Sequence, residues 1–319
     1  MKALHTQLTE ELKKTKEPLK SIFIGGGTPS SIEAKLYNPL FETLQDWIDN
    51  TTEITIEANP NSTTLEWLTH VKNLGVNRIS FGVQSFDDTK LKFLGRNHNK
   101  QQAIDCVKLA SNVGFCHINI DLIYDTAIDT KELIDNDLNI IKTLPIDHIS
   151  AYSLTIEEGT KFYNRPEVKI EDIDMASYIF DRLCSFGFSQ YEISNFRKGP
   201  DSRSKHNFGY WEGEDYLGVG AGAVGSIGNQ RYYPTKDVQA YINDPLMYQE
   251  IENLSTDDKK FEKIFLGLRS LVGVPMSLFN EKQKKQIEIL YKEDKITILN
   301  DTLFNKNFLL SDEIALFLE

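Results

Sequence analysis

Cysteine is scarce in this sequence. Its 319 residues hold three, Cys106, Cys116 and Cys184. Nine residues separate the first two and 67 the last two, which matches neither a zinc site nor a metal-cluster loop. Cys106 shares a helical stripe with Ala103, Val107 and Ala110, and Cys184 follows Leu183 on a second helical run. The thiols therefore read as small buried hydrophobes of a reducing compartment. Long apolar runs are also lacking, so no segment approaches the length that crosses a bilayer. The N-terminal MKALHTQLTEELKK is polar and helix-like, without the apolar core of a signal peptide. These absences together predict a cytoplasmic chain with no transmembrane segment. Basic charge is in deficit: 35 Lys and Arg stand against 47 Asp and Glu, a net charge of −12. Phosphate contacts dominate nucleic-acid affinity, and a chain with no basic stripe is a poor partner for nucleic acid. The acidic charge serves solubility instead.

What is present is ordinary for a globular protein. Apolar residues make up 40% and charged residues 26%, enough to build a packed core. The length fits one large α/β domain and a smaller one. Up to about residue 195, strand-like and helix-like runs alternate. The strands are SIFIGGG (21–27), EITIEAN (53–59), RISFGVQ (78–84), HINIDLIY (117–124) and HISAYSLT (148–155). One helical run passes from Leu65 through Leu68 and Val71 to Leu74 and stops at Gly75; another passes from Ile173 through Ala176 and Phe180 to Leu183 and stops at Gly187. Glycine there is a helix stop, because it takes the left-handed cap conformation cheaply. This alternation predicts βαβ units on a parallel sheet.

The strands have one apolar and one polar face. Ile54 and Ile56 oppose Thr55 and Glu57; Ile79, Phe81 and Val83 oppose Ser80, Gly82 and Gln84; Ile118, Ile120 and Leu122 oppose Asn119 and Asp121. A doubly wound sheet, covered by helices on both sides, would be apolar on both faces. A wide or incomplete barrel around a ligand explains the pattern better. The polar residues lie late in their strands, where ligands of parallel α/β folds bind. From about residue 200 the texture changes to a glycine-rich, aromatic stretch, HNFGYWEGEDYLGVGAGAVGSIG, then to a helical run, FEKIFLGLRSL. The terminal KITILNDTLFNKNFLLSDEIALFLE reads as two short strands and a helix. A boundary is expected near residue 200, dividing a partial barrel (1–200) from a C-terminal α+β domain (201–319).

Two features carry chemistry. The three glycines of SIFIGGGTPS let a ligand approach the backbone, or simply form a tight strand-to-helix turn. They are not a Walker loop, since no GK[ST] follows, and not a dinucleotide fingerprint. Glu57, Gln84 and Asp121 form an inward polar set at the strand ends, which Arg96 of LGRNH can join as a donor to a carboxylate.

SIFIGGGTPS, ITIEANP, RISFGVQSF, LGRNH, INIDLIY and SAYSLTIEEGT occur in an order that resembles the oxygen-independent coproporphyrinogen-III-oxidase-like family of radical S-adenosylmethionine (SAM) proteins. The resemblance covers nearly the whole chain. It implies an incomplete (β/α) barrel and assigns SAM binding to Gly26, Gly27, Thr28, Glu57, Gln84, Arg96 and Asp121. HNFGYW, His206 to Trp211, resembles the HNxxYW signature of the haem-chaperone branch, which holds haem and passes it to haem-accepting proteins. His206 is the candidate haem contact; its alternative is a packing histidine in a structured loop.

The departures from the family matter as much. The family holds a [4Fe–4S] cluster through CxxxCxxC after its first barrel strand, and this sequence contains no CxxxCxxC. SIFIGGG matches the family's second strand, so the first strand and the cluster loop are expected to be missing and SIFIGGG to be an edge prone to self-association. Asp125 replaces the usual glycine after INIDLIY, so that turn is expected to differ. The resemblance thus implies a SAM-binding haem chaperone without its cluster loop. Its alternatives are an oxygen-independent coproporphyrinogen-III oxidase and an inactive family fragment.

Overall fold

The computed structural model describes residues 1–170 and 172–319. In chain order these form α1 (Lys2–Glu11), β1 (Ser21–Ile24), α2 (Asn38–Leu44), β2 (Glu53–Ala58), α3 (Leu65–Asn73), β3 (Arg78–Gln84), α4 (Asp88–Phe93), α5 (Lys100–Val113), β4 (His117–Tyr124), α6 (Lys131–Ile141) and β5 (His148–Ser153). There follow α7 (Ile173–Ser185), β6 (Ser189–Gln190), β7 (Asn195–Arg197), α8 (Lys205–Glu212), β8 (Gly225–Ile227), β9 (Gln230–Pro234), α9 (Val238–Asn243) and β10 (Tyr248–Asn253). The chain ends with α10 (Thr256–Gly267), β11 (Val274–Pro275), α11 (Glu281–Lys292), β12 (Ile296–Leu299), β13 (Thr302–Asn305) and α12 (Ser311–Phe317).

Contacts group the chain into two units. The first holds Ser21–Lys35 and Glu53–Ser204. Its seven-stranded sheet runs β1-β2-β3-β4-β5-β7-β6. The first five strands are parallel, and β7 is antiparallel to both β5 and β6. β1 and β6 lie at opposite ends of the strand order, so the sheet is an open, incomplete barrel. One strand face is the apolar core: Ile54, Ile56, Ile79, Phe81, Val83, Ile118, Ile120 and Ile149 are buried. The helices that follow the strands bury matching stripes, such as Leu68 and Val71 on α3 and Ala103, Val107 and Ala110 on α5. The stops fall where glycine permits them, with Gly75 at φ +106° and Gly187 at φ +87°.

The other strand face is polar, as the alternation predicts, but its lower half is internally bonded rather than left for a ligand. Arg78 Nε donates to Glu53 Oε2 at 2.9 Å, and its Nη2 donates to the Ser202 carbonyl at 2.7 Å. Both side chains are buried, and pairing offsets their loss of hydration. The part of that face open to a ligand is therefore confined to the C-terminal ends of the strands.

The second unit holds Met1–Lys20, Leu36–Thr52 and Lys205–Glu319. The expected split at about residue 200 places the N-terminal helix with the strands; the contacts place it with the C-terminal residues. The reason is that α1 buries polar side chains. Gln7 is 1% exposed, donates to the Gly218 carbonyl (3.3 Å), and accepts from Gly220 N–H (2.8 Å) and the Tyr241 hydroxyl (2.7 Å). No apolar periodicity advertises such a contact. Two three-stranded antiparallel sheets, β10-β9-β8 and β11-β13-β12, complete the unit. The second of these packs Val274, Ile296 and Leu303 with Leu268, Ile287, Leu290 and Ile314 of the neighbouring helical segments. The β12–β13 hairpin turns on Asn300 (φ +48°) and Asp301 (φ +60°), residue types that tolerate the left-handed conformations of a tight turn.

Candidate functional site

The site is built at the C-terminal ends of β1 to β5. β1 runs straight into the glycine turn. A side chain at Gly25 would place its Cβ 2.5 Å from the Phe23 ring and 3.0 Å from Glu57 Oε2, so only glycine fits. Gly26 and Gly27 take φ +82° and +59°, with open space where a Cβ would point. The turn is tied to β2: Gly26 N–H donates to Glu57 Oε2 (3.2 Å), and Asn59 Nδ2 donates to Thr28 Oγ1 (3.1 Å). Burial pushes the Glu57 carboxyl up, and the Gly26 N–H only partly counters it.

On β3 the strand register shifts between Phe81 and Gln84. Gln84 is buried and adopts φ +68°, unusual for a residue with a side chain. Such strain persists where the surroundings enforce it, and it clusters at functional sites. The shift re-aims the end of the strand, as bulges do. Arg96 comes from the loop after α4. Gly95 (φ +73°) and an Arg96 N–H bond to the Leu91 carbonyl (2.9 Å) end that helix and set where the arginine leaves it. Its Nε is buried without a hydrogen-bond partner. Burial lowers the guanidinium's pKa, and the charge of Asp121 opposes that shift.

Asp121 is half-buried on β4 and accepts from Asn119 Nδ2 at 2.8 Å and, at 3.5 Å, from Ser80 Oγ. Burial pushes its carboxyl up to about 7; the Glu57 charge adds to the shift, while bonds from Asn119, Ser150 and Ser80 restrain it. The Tyr152 phenol on β5 is also raised, first by the crowding of its hydroxyl and then by the charges of Asp121, Glu192 and Glu57, although the side chain as a whole is 41% exposed. Glu57, Arg96 and Asp121 thus share one electrostatic environment, with acceptors and one permanent cation at the mouth of the sheet. The turn after β4 keeps the shape glycine would give it, since Asp125 takes φ +63°, and its Oδ2 accepts from Ser153 Oγ at 2.6 Å.

His206 lies elsewhere. It sits on α8 in the second unit, and HNFGYW is helical there rather than a structured loop. Tyr210 meets the His206 ring edge-on at 4.8 Å, and Tyr216 meets Tyr210 at 4.7 Å. The cysteine expectation needs correction. Cys106 is buried, with its thiol pushed up to about 12, but Cys116 and Cys184 are exposed. A stripe neighbour marks a buried helical face only for Cys106; Cys184 follows buried Leu183 on a side of α7 turned to solvent. Among the described residues no three His, Cys, Asp or Glu side chains come together as a metal site, so the residues present do not fit a [4Fe–4S] cluster. No described helix is long and apolar enough to cross a membrane.

An open, largely parallel sheet with a glycine turn after β1 and carboxylate, amide and guanidinium groups at its strand ends fits the radical SAM class. The sequence model of the Radical SAM superfamily matches residues 5–136. The structure resembles coproporphyrinogen III oxidase (HemN) from Escherichia coli, with a TM-score of 0.82 over 99% of this chain and 82% of that one; at 20% identity this shows the fold alone. Heme chaperone HemW of Lactococcus lactis is 37% identical over 298 residues, covering 90% of this chain and 78% of the relative. Heme chaperone HemW of Bacillus subtilis is 33% identical over 333 residues, covering 100% and 86%. The chain belongs to the HemW family of radical SAM proteins.

Proposed function

We propose that this chain is a SAM-binding haem chaperone. SAM is held at the strand ends by Gly26, Gly27, Thr28, Glu57, Gln84, Arg96 and Asp121, haem is bound through His206, and haem is delivered to haem-accepting proteins of the cytoplasm. The observation that carries the SAM assignment is the convergence of these strand-end groups with donors and acceptors to spare. The buried Arg96 Nε lacks a partner, and the glycine turn is open where a ligand would approach. SAM offers a carboxylate to a guanidinium, and an ammonium and ribose hydroxyls to carboxylates and an amide. When bound, SAM in this class supplies the group that is cleaved reductively. The described residues offer no ligand set for a cluster, so no such step is assigned to them. The oxidase reading rests on fold likeness only, and HNFGYW favours the chaperone.

Haem added to the chain is expected to give a shifted Soret band, and His206→Ala to weaken it. The aromatic neighbours Tyr210 and Tyr216 would remain as apolar walls, so some band should survive. An identical titration in parent and variant would return His206 to a packing role.

The sheet edge supports self-association. β1 ends the strand order, its centre is Ile22-Phe23-Ile24, and Phe23 is 36% exposed. An apolar edge strand without charge or proline is a template for pairing with another chain. Phe23→Lys is expected to shift the size-exclusion profile from associated species to monomer. A parent that already runs as a monomer would remove this edge as a contact.

A further inference from the structure

Behind Asp121, the inward face of the sheet carries a chain of buried hydrogen bonds whose direction follows from the chemistry of its members. Asn119 Nδ2 donates to Asp121 Oδ1 (2.8 Å) and to Ser80 Oγ (2.7 Å). A carboxylate only accepts, so the amide's nitrogen must face it and Asn119 Oδ1 must face the other way. That oxygen lies 2.7 Å from His148 Nδ1 and also accepts from Ser150 Oγ (3.3 Å). Two acceptors cannot bond, so His148 carries its proton on Nδ1. Burial, then the charges of Arg78 and His117, push the imidazole well below its ordinary pKa, so the ring is neutral and this is its one N–H. Its Nε2 must then accept, and the Tyr191 hydroxyl at 2.7 Å donates to it. The Tyr191 oxygen accepts in turn from Ser204 N–H at 3.3 Å. From Tyr191 through His148 and Asn119, every donor points toward Asp121.

We propose that His148 is a positioning residue for Asp121: it locks the Asn119 amide with its N–H toward the carboxylate, and Tyr191 fixes the tautomer that does so. The proposal rests on the reading of Asp121 as a SAM contact only where SAM binding is the readout. Without the imidazole the Asn119 oxygen keeps only the longer Ser150 bond, so the amide turns more readily, and a turned amide presents its oxygen to the carboxylate and repels the anion. The other groups facing Asp121 are Glu57 from β2, Ser80 from β3, Arg96 from the loop after α4, and Ser150 and Tyr152 from β5. Of these, Glu57 works against the anion and Arg96 for it, and neither belongs to the chain of bonds.

The test follows the Asp121 carboxyl carbon by NMR in the ligand-free chain, assigned through Asp121→Asn. The parent should titrate near neutral pH. Losing one hydrogen bond to a charged group should move the midpoint of His148→Leu upward by about one pH unit. His148→Gln can both donate and accept, and should stay close to the parent. Tyr191→Phe should move the midpoint the same way by less. Imidazole nitrogen shifts of the parent should show the neutral Nδ1–H form from pH 5 to 8. SAM titration should show His148→Leu weakened at pH 7 and restored near parent affinity at pH 9. An unmoved Asp121 midpoint in His148→Leu or, should that variant not fold, in Tyr191→Phe would overturn the proposal, as would an Nε2–H tautomer. SAM affinity unaltered by Asp121→Asn would instead sink the SAM reading, while the carbon titration still decides the positioning role.

Discussion

Lys90→Met is expected to destabilise the barrel unit by about 3–5 kcal/mol, a large part of the roughly 5–15 kcal/mol available to a whole domain. Lys90 sits on α4 at 0% exposure, and its Nζ lies 2.6 Å from Asp129 Oδ1, which is itself almost fully buried. Asp137, next to this pair, accepts from Ser85 Oγ and Phe86 N–H, both at 2.7 Å. Burial pushes the Asp137 carboxyl up to about 6, and the Lys90 charge holds it back. Removing the ammonium leaves an uncompensated anion at Asp129 and raises Asp137 further. The cost is that of burying a charge without its partner, not the modest net value of an ion pair. The segment pinned in this way joins Gln84 to Arg96, so the site should loosen as well. Urea unfolding measures the change. The double variant Lys90→Met, Asp129→Leu should recover most of the loss, because no charge is then stranded. A single variant within about 1 kcal/mol of the parent would mean the pair is hydrated in solution.

Arg96→Ala is expected to raise the SAM dissociation constant roughly ten- to 150-fold, the equivalent of about 1.5–3 kcal/mol for a hydrogen bond to a charged group. The guanidinium is a permanent cation placed beside Asp121, and its buried Nε has no hydrogen-bond partner among the described residues. Arg96→Lys should recover only part of the affinity, since an ammonium cannot bond a carboxylate bidentately. Affinity should also depend on pH through Asp121. Its carboxyl, raised to about 7, is protonated below that value and ionised above it. A ligand that offers donors prefers the ionised form, so binding strengthens as pH rises through about 7, and binding near neutrality releases protons. Calorimetry in buffers of different ionisation enthalpy reads both. Affinity flat from pH 6 to 8, with no proton release, would take Asp121 out of the site.

Much of the fold was legible because the barrel strands obey simple rules. The five parallel strands of the seven-stranded sheet were predicted, since period-two alternation of Ile, Val and Phe with polar residues marks a half-polar sheet, and Gly75 and Gly187 punctuate the helices; the short β6 and β7 were missed. The glycine turn and the strand-end set were visible because polar residues late in several parallel strands point one way. Other features gave no such signal. α1 joins the second unit through Gln7 and Glu11, which hydropathy counts as surface. β8 to β10 lie in and after a glycine-rich stretch whose turns hide the short strands. Gln84 carries a left-handed backbone that its residue type does not announce. His148 was within reach, since His148, Ser150 and Tyr152 alternate on β5 as Asn119 and Asp121 do on β4. Only the structure shows that Asn119 and His148 are bonded to each other.

The most direct test of the account is haem transfer. The chain is loaded with haem, freed of excess, mixed with a haem-free acceptor protein, and the two are separated before absorbance is read. The account predicts a Soret band on the loaded chain that moves to the acceptor, with His206→Ala carrying less haem at the start. A chain that takes up no haem, or an acceptor that fills no faster from the loaded chain than from free haem, would contradict it.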